Sequence, residues 1–217
     1  MYADSETLWR TTLARNPDSS LANNNIGVIL VRKGQLDEAI AHFQKALQEH
    51  PDDPEIHNNL AVALAKAYGD YANQLAGMGR NDEAIVEFRA ALEIFPCFAD
   101  ARHSLAIILL QKGQVDEAIA QFQKIQEQYP DNAMAYFDLG NAYFQKGQMD
   151  EAAAFYQKAL KIKPADLATL NNLGMAFLAK GMVDEAAVQF RKALALQPDF
   201  ALARTNLAKA LLQKEHP

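Results

Sequence analysis

Cysteine occurs once in the 217 residues, as Cys97, so an internal disulfide framework is excluded. Cys97 follows Pro96 in a stretch read as a turn, and His103 six residues on is no evidence of a positioned base. The thiol is therefore read as inert. No apolar run approaches the roughly 20 residues of a membrane span. No signal peptide is read at the start, and no run of Lys or Arg appears. The net charge of −6 and pI of about 5.4 argue against nucleic acid or an anionic membrane as partner. The histidines, His42, His50, His57, His103 and His216, show no metal-ligand spacing, and His42 is expected in an exposed slot. The GMGR stretch at 77–80 is too short for a phosphate loop. These absences predict a chain that is not an enzyme and has no cofactor or metal. The segment reads as soluble, with a cytoplasmic place expected and a membrane-anchored longer parent left open.

What is present is a repeated phrase. Gly147–Pro164 reads GQMDEAAAFYQKALKIKP, and close variants fill Gly34–Pro51, Gly79–Pro96, Gly113–Pro130 and Gly181–Pro198. Gly79, Gly113, Gly147 and Gly181 are spaced by 34 residues. Self-similarity at this period marks a solenoid whose units bury their apolar faces only against neighbours. Gly147 is read as a helix end in the left-handed conformation. Asp150 and Glu151 open the next helix, where carboxylates complement the positive dipole end. The same reading covers the acidic pairs at 37/38, 82/83, 116/117 and 184/185, which are not taken as metal or acid–base sites. Ala152, Tyr156, Ala159 and Leu160 then form one apolar stripe, and Pro164 stops the helix. The segment before each glycine has helical spacing too, so each unit is two antiparallel helices, A then B.

Tyr136, Leu139, Gly140, Tyr143, Gly147, Ala152, Tyr156, Ala159 and Pro164 together resemble the tetratricopeptide repeat pattern at its positions 4, 7, 8, 11, 15, 20, 24, 27 and 32. The resemblance implies an all-α, right-handed superhelical solenoid of about twelve helices that serves as a protein-interaction scaffold. The expected segments are a cap or half-repeat helix over 1–17, repeats over 20–53, 54–98, 99–132, 133–166 and 167–200, and a capping helix over 201–217. The second repeat carries 11 extra residues near 65–78. A surface loop is the first reading of this insertion. The second is a longer helix with Tyr68 and Tyr71 as contact anchors, because eleven residues nearly preserve helical phase. Gly69, Gly77 and Gly79 argue against an extension running to its very end.

The resemblance also implies a concave, ligand-facing side on the A helices. Position 6 gives Asn25, Asn59, Ser104, Asp138, Asn172 and Asn206, and position 5 gives Asn24, Asn58, His103, Phe137, Asn171 and Thr205. Position 9 adds Asn141 and Met175 amid Val28, Val62, Ile107 and Lys209. The binding residues expected from this register are Asn24, Asn25, Asn58, Asn59, His103, Phe137, Asp138, Asn141, Asn171, Asn172, Met175 and Asn206. An amide both donates and accepts, so such a row suits the backbone of an extended peptide. The row is similar to the asparagine ladder of the repeat arms of O-linked sugar transferases. An apolar strip that includes Phe144 and Leu178 suits a partner's side chains. A clamp for acidic chaperone tails is not expected, since only Asn59 among Asn24, Val28, Asn59, Asp100 and Ser104 fits it. The expected partner is a protein or peptide. A recruiting arm of a larger membrane-associated protein, such as a glycosyltransferase, and a homo-oligomeric self-assembly module stand as alternatives.

Overall fold

The computed structural model describes residues 2–215, with side chains over 5–214; Met1, His216 and Pro217 lie outside the described residues. Among the described residues there are twelve α-helices and no strand. They are α1 Tyr2–Arg15, α2 Ser20–Arg32, α3 Leu36–Glu49, α4 Pro54–Gly77, α5 Asn81–Ile94, α6 Ala99–Gln111, α7 Val115–Gln128, α8 Ala133–Gln145, α9 Met149–Ile162, α10 Leu167–Ala179, α11 Val183–Leu196 and α12 Ala201–Glu215. The chain divides into two compact units, Met1–Leu105 and Ala106–Pro217, with α6 contributing to both.

The two kinds of helix start differently. A helices are capped by side chains: Ser19 caps α2, Asp53 caps α4, Asn132 caps α8 and Asp166 caps α10. The B helices α3, α5, α7, α9 and α11 have no side-chain cap bond. Each carries an Asp–Glu pair in its first turn instead, which complements the dipole. The A-to-B turn is a glycine cap. At Gly147, with φ of 82°, the Gln148 N–H reaches back to the Tyr143 carbonyl at 2.9 Å.

In the first unit, Ile26, Leu30, Ala39, Phe43, Ala46, Ile56 and Ala63 form one buried cluster, flanked by Trp9 and Leu13 of α1. In the second, Tyr156 and Phe190 anchor a cluster with Leu170, Leu173, Ala186 and Ala203. The helix-B aromatics Phe43, Phe88, Phe122, Tyr156 and Phe190 are all fully buried. Gly140 lets Tyr156 lie against the α8 backbone, since a Cβ there would fall 2.4 Å from the ring.

The loop expected near 65–78 is not there. α4 is one continuous helix of 24 residues, against 14 in α3 and in α5. Its first half packs on α2 and α3, and it continues along α5. Eleven residues add about three turns and leave the buried face turned by only about 20°. Ala61 and Leu64 therefore share a side with Ala72 and Leu75, eleven residues further on, whereas Ile56 and Ala63 bury the opposite side of the helix. Gly69 is a packing glycine and not a turn: a Cβ there would sit 3.1 Å from the Phe98 ring. The helix ends only at Gly77, before Gly79 at φ 77°.

Candidate functional site

In the second unit, α8, α10 and α12 bring four asparagines into one hydrogen-bonded chain, which Tyr156 of α9 joins. Asn206 Nδ2 donates to Asn171 Oδ1 at 2.9 Å, and Asn171 Nδ2 donates to Asn172 Oδ1 at 3.3 Å. Asn172 Nδ2 donates in turn to Asn141 Oδ1 at 2.9 Å, and the Tyr156 hydroxyl donates to the same oxygen at 2.8 Å. Because Asn141 Oδ1 takes two donors, its Nδ2 keeps its hydrogens for another acceptor. The chain is therefore directional, with a donor end at Asn141 and the Asn206 carbonyl at the other.

These residues line an open cavity of about 380 Å³, completed by Phe144, Gln145 and Met175. Phe144 and Met175 are half-buried, so the cavity offers both amide groups and apolar surface. Gln145 is anchored by its Nε2, which donates to the Leu110 carbonyl at 3.0 Å. Burial pushes the Tyr156 hydroxyl above the usual phenol range, so it stays a neutral donor.

The expected binding residues divide by place. Asn141, Asn171, Asn172, Met175 and Asn206 share this cavity. Phe137 packs on Tyr156, with ring centroids 6.1 Å apart, and lines a smaller neighbouring recess. Asp138 is buried. In the first unit, Asn24 is only 7% exposed and is engaged on both amide atoms. It accepts from Asn59 at 3.0 Å and donates to Glu55 at 3.4 Å. Asn25 donates back to the Leu21 carbonyl at 2.7 Å, Asn58 is exposed, and His103 is half-buried on α6. Asn24–Asn59 and Asn171–Asn206 thus share one pattern, a position-6 amide joined to position 5 of the preceding A helix. Part of the row is a bond between neighbouring helices before it is anything else.

Two cavity residues were not among those expected. Tyr156 reads as ordinary core, and Gln145 carries no signal of its own. The clue lay in repeat four, where the one polar residue in the run Val28, Val62, Ile107, Asn141, Met175 accompanies the one Tyr among the buried helix-B aromatics. His42, expected in an exposed slot, is half-buried, and its Nδ1 donates to Asn23 Oδ1 at 2.8 Å. Asn23 Nδ2 is bound to the Pro17 and Ser19 carbonyls, which fixes that orientation.

Among the described residues no helix is long and apolar enough to cross a membrane, and no group of His, Cys, Asp and Glu could hold a metal ion.

Comparison with known proteins accounts for most of the chain. Two tetratricopeptide repeat family models match, one over residues 70–133 and 103–166 and the other over 27–67 and 174–214. No curated protein matches significantly. Among solved structures, YrrB, described as a TPR protein with an unusual peptide-binding site, is 21% identical with a TM-score of 0.60, covering 91% of this chain and 96% of its own. TTC0263, a thermophilic TPR protein of Thermus thermophilus, is 24% identical at a TM-score of 0.55, covering 89% and 99%. MamA of Desulfovibrio magneticus is 24% identical at a TM-score of 0.55, covering 84% and 97%. With the helix pairs, their glycine caps and these matches in agreement, the chain belongs to the tetratricopeptide repeat family.

Proposed function

We propose that the chain is a non-catalytic protein-interaction scaffold and that the cavity of the second unit holds an extended peptide. The observation that carries this reading is the directional amide chain ending at Asn141. Its donor end suits a peptide carbonyl, and Phe144 and Met175 beside it suit an apolar side chain. A pre-set chain of amides costs little to order on binding, which favours capture of a backbone over reading of one side chain. YrrB, with its peptide-binding site, gives the reading a precedent within the same fold.

Selection of peptides from a random library tests it. The native chain is expected to enrich peptides with an apolar residue and no required charge. Asn141→Ala is expected to weaken the selected peptides about tenfold, the loss of one to two hydrogen bonds. No enrichment by the native chain, or equal binding by Asn141→Ala, would remove this cavity as the site.

A further inference from the structure

In the second unit, repeat four closes the seam between its B helix and the one before with an aromatic ring. Phe155, at position 23 of α9, stacks on Tyr143 of α8 at 5.2 Å and on Tyr136 at 6.4 Å between ring centroids. Lys158, at position 26, lies over the Phe155 ring at 4.9 Å. Gln126 of the preceding B helix, α7, donates to the Tyr136 hydroxyl at 3.4 Å, so position 28 of one repeat borders the same slot in the next. Position 23 thus fills a slot between positions 4 and 11 of its own repeat and position 28 of the repeat before.

One period of 34 residues later the filling ring is absent. Tyr143 has its counterpart in Phe177 and Lys158 in Lys192, but Gln189 stands in the place of Phe155 and Leu160 in the place of Gln126. A cavity of about 480 Å³ lies there between α9, α10 and α11. Its size is in the range of roughly 300–1,000 Å³ typical of ligand sites. Leu173 and Phe177 form the floor, and Leu160 and Val188 the walls. Val188 is left 45% exposed although it belongs to this apolar surface. Lys161, Lys192 and Glu185 stand on the rim, which is therefore net positive. Among the described residues neither lysine is in an ion pair. The cavity shares no residue with the amide-lined one on the other side of α10.

The geometry points to a docking slot for the aromatic side chain of a partner protein, carried beside an acidic residue. The partner's ring takes the place that Phe155 takes one repeat earlier, against Phe177 and under Lys192. Repeat four shows the chemistry that such a ring satisfies: apolar contact on one face and an ammonium over the other. An aliphatic side chain would fill the volume without offering Lys192 a negative ring face. A neighbouring carboxylate suits the two unpaired lysines of the rim, and a basic neighbour would meet them as like charges. The slot is separate from the proposed peptide cavity and stands or falls apart from it.

Gln189→Phe tests the fit. It supplies the side chain of repeat four at the matching position, so it is expected to fill the slot, to raise the urea midpoint and to shut out a partner's ring. A random peptide library selected on the native chain, then sorted on Gln189→Phe and on Asn141→Ala, tests the occupant. One class of peptides is expected to carry Phe, Tyr or Trp next to Asp or Glu and to bind Asn141→Ala as well as the native chain. On Gln189→Phe its binding is expected to fall about tenfold, because the ring meets an occupied slot. Lys192→Ala is expected to weaken the same peptides about threefold, the contribution of a cation over an exposed ring. A urea midpoint of Gln189→Phe below the native value would show that a ring does not fit and would overturn the proposal. So would the absence of that peptide class, or a class lost on Gln189→Phe that carries no aromatic residue. A native mass that rises with concentration in sedimentation, but stays constant in Gln189→Phe, would give the slot to a second copy and overturn it too. Peptides lost on Asn141→Ala report on the other cavity, so the two readings fail separately.

Discussion

At the scale of the residue, side chains peculiar to one repeat come as touching pairs. Asn141 and Tyr156 are one pair, Asn23 and His42 another. Tyr156→Phe keeps the ring on Gly140 and removes only the hydroxyl. It is expected to lower stability by about 1 kcal/mol. It should also weaken peptide binding, because Asn141 loses one of the two donors that orient it. Urea unfolding and the library-selected peptides read the two effects separately. Gly140→Ala is expected to cost more, about 1–3 kcal/mol, since its Cβ must displace a fully buried ring. A urea midpoint unchanged from the native chain would show that Tyr156 yields easily.

His42 gives a pH dependence. Burial, with the nearby Arg10 charge adding to it, lowers its imidazole below the usual value of about 6.5. The folded chain therefore takes up this proton less readily than the unfolded chain. The resulting stability is fully present above the unfolded value and is lost as pH falls from there through the folded one. Between about pH 7 and about pH 5 the native chain is expected to lose more stability than His42→Gln, which keeps a donor for Asn23 but does not titrate. Parallel pH profiles would exclude this role. Beyond the lone polar residue and lone Tyr of repeat four, these couplings were not readable in advance, because sequence register says which positions face each other only once the fold is known.

At the scale of the element, most helices were legible and α4 was not. The repeated glycine, Asp–Glu pair and proline mark the B helices residue by residue. Over 65–78 the same signals pointed two ways. An insertion in phase with the helix leaves the apolar pattern intact, so periodicity could not separate a loop from three added turns. Gly69 then looked like punctuation, whereas the helix uses it for room beside Phe98. Phase is what a deletion would probe. Removing 65–75 takes out about three turns and should leave a helical, cooperatively unfolding chain. Removing 65–73 rotates the remaining face by about half a turn and should abolish cooperative unfolding of the first unit. Equal behaviour of the two deletions in thermal circular dichroism would mean that the phase of α4 does not matter. The site was legible to a lesser degree than the helices. Register found the asparagines, but which of them share a cavity and which are spent on the next helix depends on distances of an ångström or so.

At the scale of the whole molecule, stability in a repeat array is a sum of local terms and nearest-neighbour interfaces. The sole tryptophan, Trp9, lies in the first unit and reports on it alone. Leu139, fully buried in the second unit, gives a lever on the other. Leu139→Ala is expected to cost about 2–5 kcal/mol. The mean circular dichroism midpoint in urea should fall while the Trp9 fluorescence midpoint stays in place. A joint shift of both signals would show that the chain unfolds as one cooperative block.

The second unit also carries an exposed charge pairing that recurs without variation. Asp116 pairs with Lys146 at 2.8 Å, Asp150 with Lys180, and Asp184 with Lys214 at 2.5 Å, always thirty residues apart. Each pair adds little on its own. Every seam made this way is chemically the same as the next, so a gene duplication or loss of one 34-residue unit there would join two ends that already match. The step from Asp37 lands instead on Ala67 inside α4, where no such match exists. Copy number in this lineage is therefore expected to drift on the C-terminal side, with the stretch around α4 inherited whole.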